Sequence, residues 1–337
     1  MSTMIRKNVK FDKSLLYGSL IGLGLLVLLA GDNLRSMPTS FVLPKPEGIA
    51  INPDDWLSLV KAVNSRTSRF VGTVGYVIKD FNSGQVAENN ADLAFPSASL
   101  IKLPILCAAF QAVEEGRISL SAPITLQRRD RKGGSGTLKF FPVGTVFTNR
   151  ELIEAMIDSS DNTAADLIVR QLGYDYLQKT FIALGLQDTV IRPDGFKLTS
   201  RRVHEDNITS PRDMAYLLEK IYKRELVSPV ASEQMLDILK HQHLRDRLPR
   251  FLPTGWGIAH KTGLLRRACH DVGIVFSPKG DYMICVLTSH DVTYKMAKRF
   301  IATVGRITFD YYSRRQMASL AGTAASRRDA SSGPRSS

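Results

Sequence analysis

The chain has 337 residues, 44% of them hydrophobic, enough for a sizeable core in one large domain or two ordinary ones. Charged residues make up 23% and aromatic residues 8%, which excludes a fibrous repeat or a wholly disordered chain. The net charge of +13 is spread thinly, with short clusters at Arg128 to Lys132, Arg201 to Arg202 and Arg327 to Arg328. No nucleic-acid motif frames these clusters, so the surplus is read as a solvated basic surface or an attraction to an anionic wall or membrane.

Residues 1–13 carry Arg6, Lys7, Lys10 and Lys13 against the single Asp12, and Ser14 to Gly31 contains no charge. A basic flank ahead of an apolar run is a membrane-targeting pattern, here expected to act as an uncleaved anchor over 14–31, with 1–13 cytoplasmic and the body outside, in the periplasm or at the cell surface. A cleaved leader, which would release the body, is the alternative. Residues 32–52, with Pro38, Pro44 and Pro46, read as a linker to a body that starts near Pro53 and ends near residue 315. Residues 316–337, rich in Ala, Ser and Arg, are expected to be disordered.

Within the body, Asp54 to Arg66 has helical spacing, with Trp56, Leu57, Val60 and Val63 on one side. Gly72 to Lys79, the turn Asn82-Ser83-Gly84 and Gln85 to Glu88 predict a β-hairpin. Thr148 with Glu151 forms a capping box for a helix to Asp158, and Ser210-Pro211-Arg212-Asp213 opens another. Trp256 to Ala259 is strand-like, Asp271 to Phe276 and Tyr282 to Thr288 flank a turn as a second hairpin, and Thr293 to Tyr311 predicts a last helix. Strands from both ends of the body can therefore share one antiparallel sheet. The expected class is mixed α/β (α+β): a sheet flanked by helices, an all-helical lobe, and a cleft between them.

Cys107, Cys269 and Cys285 lack metal-ligand spacing and sit in apolar or strand-like surroundings, so they are read as small buried hydrophobes, with one disulfide left open. His241 and His243 alternate without a third ligand at metal spacing, and no metal site is expected.

Three short motifs carry chemistry. Ser99 and Lys102, in Pro96-Ser97-Ala98-Ser99-Leu100-Ile101-Lys102, precede the apolar run Leu103 to Phe110 and should lie together near a helix N-terminus, where a neutral amine can take the hydroxyl proton. Asp158-Ser159-Ser160-Asp161-Asn162-Thr163 interrupts two helical stretches: Ser160 offers a hydroxyl to relay a proton to a leaving nitrogen, Asn162 an amide for Lys102 and substrate, and Asp161 holds the turn. In His260-Lys261-Thr262-Gly263, Lys261 and Thr262 suit a substrate carboxylate, and Gly263 would let substrate backbone reach a strand edge. Each motif alone also fits a helix cap or a strand end.

Their order, with 61 and 101 residues from serine to serine to lysine, resembles the class A β-lactamase and penicillin-binding serine hydrolase family over roughly Asp54 to Tyr312. Leu244 to Gly263 and the run Gly133-Gly134-Ser135-Gly136 agree with that family. The resemblance implies a β-lactamase-like fold, an acyl-enzyme on Ser99, an oxyanion hole from the amides of Ser99 and Leu264, and neither metal nor organic cofactor. It also implies a β-lactam or a peptidoglycan peptide as substrate, and a monomer is expected.

One part of the pattern departs. Lactamases of this family activate the deacylating water with a glutamate on the loop that here spans Val190 to Ser210, and Lys197 stands at the aligned position. Asp194 and Glu205 are the substitutes the loop offers, and Gly195 occupies the position of the arginine that usually helps close it. The departure leaves three readings: a β-lactamase-like hydrolase with another deacylation route, a D,D-peptidase-like enzyme trimming wall peptides, and a β-lactam sensor or binding protein acylated once.

Overall fold

A computed structural model describes residues 56–193 and 206–330, with side chains as far as residue 314. The anchor, cytoplasmic and linker segments expected over residues 1–52 lie outside the described residues, as do Asp194, Lys197 and Glu205 on the loop. The described residues belong to one compact unit.

Alternation in the strands decides the architecture. In β9 (Tyr282–Ser289), Tyr282, Ile284 and Val286 join one apolar cluster, while Met283, Cys285 and Leu287 join another. A strand buried on both faces belongs in the middle of a covered sheet. Five antiparallel strands run in the order β2-β1-β9-β8-β7, where β1 is Thr73–Asp80, β2 Val86–Asn89, β7 Gly257–Leu265 and β8 Ala268–Phe276. Strands from the two ends of the body meet directly, with Val77 opposite Cys285. Both expected hairpins form.

One face is covered by α1 (Trp56–Thr67) and α8 (Tyr294–Ala330), which contribute Leu59, Val63, Ile301, Val304 and Phe309 to the core there. Helix α8 runs past the end expected at Tyr311 and through most of the segment read as disordered. Alanines 318, 321, 324 and 325 give that stretch high intrinsic helix propensity, which outweighs its lack of apolar period.

The other face meets the helical lobe. Helix α2 (Lys102–Glu114) is the buried centre: ten of its residues, from Lys102 to Ala112, are shielded from solvent. Around it lie α3 (Asn149–Asp158), α4 (Asn162–Leu172), α5 (Tyr174–Ala183), α6 (Pro211–Tyr222) and α7 (Pro229–Lys240). The starts of these helices follow their sequence signals. Thr148 and Glu151 form the reciprocal capping box of α3, and Ser210 caps α6 with Pro211 at its first position. At α6, however, the Asp213 carboxylate does not return to the cap; it accepts from Gln187 N, Asp188 N and the Thr189 hydroxyl.

Two short strand pairs complete the frame. β3 (Phe95–Pro96) pairs with β6 (Ile208–Thr209), and β4 (Pro123–Thr125) pairs with β5 (Val146–Thr148). All three cysteines are buried and free. Among the described residues no helix is long and apolar enough to cross a membrane.

Candidate active site

Ser99 lies in a 3-10 turn, Ala98–Ile101, that runs into α2. In a 3-10 turn residues i and i+3 eclipse, so the Ser-x-x-Lys spacing stacks Ser99 on Lys102, and the Lys102 amide closes the turn onto the Ser99 carbonyl. Ala98 sits at φ 48°, a conformation unfavourable for a residue with a Cβ, held by what surrounds it. Ser97 N donates to Asn207 O (2.7 Å), and His270 Nε2 to Pro96 O (2.7 Å). The half-buried Ser99 hydroxyl makes no hydrogen bond to a described residue and is free for substrate.

The ammonium of Lys102 points to the turn between α3 and α4. It donates to Ser160 O (2.6 Å), Ser160 Oγ (3.2 Å) and Asn162 Oδ1 (2.7 Å). Asp161 makes that turn possible: Oδ1 accepts from Ala164 N, capping α4, and Oδ2 accepts from Leu138 N. Ser160 is forced to φ 56° between them. On the open side the glycine loop is bonded to the same turn, with Asn162 N donating to Ser135 O and Asn162 Nδ2 to Gly133 O. A Cβ at Gly136, already at φ 95°, would lie 2.1 Å from Asp161 Oδ2, so only glycine fits there.

Lys261 comes in from β7 at the sheet edge. Its ammonium donates to Ser160 Oγ (3.0 Å) and Thr262 O (2.9 Å), so one serine hydroxyl links two lysines. Lys102 is 2% exposed and Lys261 not at all. Burial drives Lys102 down to about 7, with the Asp161 carboxylate opposing the drop. Burial, then the neighbouring Lys102 and Arg247, hold Lys261 well below the usual lysine range. An amine neutral near pH 7 can accept a proton, and a carboxylate arriving at Lys261 would restore that lysine's charge.

The seven other residues singled out from sequence are thus gathered around Ser99. Thr262 and Gly263 follow Lys261 on β7, and Leu264, 40% exposed, lies on the outer edge of the sheet with its strand partner Cys269 on the other side. Gly263 has a further reason within the fold. A Cβ there would lie 2.8 Å from the His270 ring and 3.2 Å from both Ser97 O and Ala98 Cβ, so the missing side chain admits the nucleophile turn.

A sequence profile of the beta-lactamase enzyme family matches residues 58–312. The chain belongs to that family. Beta-lactamase VEB-1 of Pseudomonas aeruginosa is 26% identical over 275 residues, covering 76% of this chain and 88% of VEB-1. Among solved structures, PBP-A superposes with a TM-score of 0.71 at 32% identity, over 77% of this chain and 97% of PBP-A. A beta-lactamase from Sphaerobacter thermophilus gives 0.70 at 27%, over 77% and 98%. This family member is accordingly a class A β-lactamase-like serine hydrolase with the mixed α/β fold of its relatives.

Sequence reasoning missed the supports of the site. His260 Nδ1 and Asp271 Oδ1 meet at 2.8 Å between neighbouring strands, both fully buried, and the second Asp271 oxygen accepts from Leu248 N. Arg247, 2% exposed, packs its guanidinium on the Cys269 sulfur. His270, fully buried, accepts from Thr288 N at Nδ1 while Nε2 holds the nucleophile segment; burial pulls its pKa down to about 4, so it stays neutral. His260 and Asp271 are diagonal neighbours on paired strands, and the register that brings them together is not marked in the sequence.

The neck of the loop that follows α5 is described although its middle is not. Val190 bridges Ile208, Arg192 N donates to Asn207 Oδ1 (2.7 Å), and Arg192 Nη1 donates to Asp206 O (2.6 Å). Asn207 in turn carries Ser97, so the neck and the nucleophile segment share one bonded frame. Arg266 and Arg267 are exposed in the β7–β8 turn, and His243 pairs with Asp158. Among the described residues no cluster suits a metal ion. A depression of about 320 Å³ lined by Pro123, Arg129, Leu167 and Arg170 shares no residue with the site.

Proposed function

We propose that Ser99 is the nucleophile of an acyl-transfer cycle on β-lactams or related amides that carry a carboxylate. Lys102 Nζ takes the Ser99 hydroxyl proton as Oγ attacks the carbonyl, and the amides of Ser99 and Leu264 receive the oxyanion. The proton returns through Ser160 to the leaving nitrogen as the C–N bond breaks, giving an ester on Ser99. Lys261 and Thr262 bind the carboxylate and Asn162 the substrate amide. The observation that carries this reading is the Ser160 hydroxyl shared by two buried lysines, one with its pKa brought to about 7.

A second reading, a D,D-peptidase acting on peptidoglycan peptides, is favoured by Lys197 at the position of the deacylating glutamate and by the 32% identity to PBP-A. A mutant of PBP-A has been solved as its acyl-enzyme complex with penicillin-G. The basic segment 1–13 and the uncharged run 14–31 would tether the hydrolase outside the cytoplasmic membrane, through the linker that ends at residue 52. Such a position suits wall substrates.

Incubation with a penicillin, following adduct mass and loss of drug together, tests both readings. Rapid drug loss that needs Ser99 means a turning-over β-lactamase, with Asp194 and Glu205 the next positions to substitute. A persistent adduct on Ser99 means the peptidase reading or a β-lactam sensor acylated once, and no adduct refutes the nucleophile assignment. Protease protection of the body in intact cells tests the tether.

A further inference from the structure

The excursion between β4 and β5 ends in apolar side chains that no described residue covers. Phe140, Phe141, Val143 and Val146 are 76%, 41%, 53% and 56% exposed, and Pro142 between them is exposed as well. Soluble proteins seldom leave apolar side chains contiguous at the surface without a partner. The tip is also firmly built. Leu126 N donates to Thr145 O (2.8 Å), Gly144 N to Leu126 O (2.9 Å) and Phe140 N to Thr137 O (2.9 Å), and the Phe141 and Phe147 rings meet edge to face at 5.4 Å.

The rim of this tip is positive. Arg128, Arg129 and Arg131 are exposed; Arg131 Nη2 donates to Phe141 O (2.7 Å), and Lys139 Nζ lies 5.0 Å from the Phe140 ring centre. Asp130 is the sole carboxylate from 128 to 148, and it is buried, bonded to Arg170 and to Gln127 N. Exposed aromatic and branched residues ringed by arginine and lysine match the chemistry of an anionic bilayer surface, where rings enter the headgroup region and cations meet lipid phosphates.

We propose that the Phe140–Val146 tip docks the catalytic domain on an anionic phospholipid membrane. Charge complementarity favours lipid over a neutral protein groove, and the whole chain, at +13, is drawn to the same surface. The chain outside the described residues agrees. The uncharged run ends at Gly31, and the 21 residues of a linker over 32–52 would keep the domain within roughly 25 Å of it. The tip then gives a second contact that sets orientation. Leu138, two positions before Phe140, is bonded to Asp161, and the Gly133–Gly136 loop carries Asn162. A docked tip therefore brings the rim of the active-site cleft to the headgroups.

The test uses residues 50–337, since solved relatives match this body over 97% and 98% of their own lengths. The protein is sedimented with vesicles of phosphatidylcholine alone and with about 30% phosphatidylglycerol, at low and physiological salt. Binding to the anionic vesicles, weakened by salt and reduced roughly tenfold by Phe140→Ser with Val143→Ser or by Arg128→Glu with Arg129→Glu, is the expected result. Acylation of these variants by a soluble penicillin stays at the parent level and shows that they are folded. Absence of vesicle binding, or binding that ignores both pairs of substitutions, overturns the proposal. Binding to purified wall sacculi in place of vesicles overturns it too, making the tip a wall contact.

Discussion

Helix α4 carries two charge clusters built in opposite ways. At its N-terminus, Asn162 and the preceding Ser160 receive Lys102 and Lys261, two buried lysines, and the Asp161 carboxylate beside them has spent its oxygens on Ala164 N and Leu138 N. One and two turns later, Asp166 and Arg170 meet Lys132 and Asp130, with cation and anion in balance. Burial raises Asp130, yet the Gln127 amide and Arg170 more than offset it and hold the carboxyl below its usual range. Lys102, with less to offset burial, is displaced to about 7. Charge balance holds the fold together, whereas imbalance makes an amine that can move a proton.

The largest expected effects lie at the unbalanced cluster. Ser99→Ala and Lys102→Met should each cut β-lactam acylation by about a thousandfold or more, read by adduct mass against time. Lys102→Met should also raise the melting temperature at neutral pH, because it removes a buried ammonium that the fold does not balance. A loss of stability there would place Lys102 among the structural pairs. Lys261→Met should weaken binding of a carboxylate-bearing penicillin by roughly 10- to 100-fold, the worth of a charge-assisted hydrogen bond. The comparison breaks if the same change weakens an ester analogue of the drug equally.

A smaller effect belongs to His270. Its folded value of about 4 lies below the ordinary 6.5, so the unfolded chain takes up a proton first. Its contribution is whole above pH 6.5 and is lost as pH falls toward 4. Melting temperatures across that window should fall less steeply in His270→Gln. Asp291, raised by burial to about 6, changes stability in the opposite sense over part of the same range, so the difference between variant and parent isolates His270. The smallest effect is expected at the balanced cluster. Arg170→Met should cost about 1 to 2 kcal/mol in denaturant unfolding, since Arg170 is part-exposed, and leave acylation unchanged.

What was legible in the sequence was local. The Thr148–Glu151 box, the cap at Ser210, the turn held by Asp161 and both hairpins are written in residues a few positions apart, and the structure forms them there. The three site motifs were legible for the same reason, each being a few consecutive residues. What joins them was not. Nothing near Gly263 in the chain shows that its missing side chain admits Ser97 O and the His270 ring, because that contact arises only from the register of β7 on β8. Arg247 looks like one basic residue among several in Leu244 to Arg250, and only the fold buries it against Cys269. The end of α8 was misjudged because absence of an apolar stripe was weighed above alanine's intrinsic preference for helix.

The pH dependence of the single-turnover acylation rate of Ser99 tests the role of Lys102 most directly. The rate should rise with pH and level off, with a midpoint near 7, as the buried amine loses its proton. A flat profile, or a rise that continues toward the ordinary lysine value of 10.5, would show that Lys102 is not the group that takes the proton from Ser99.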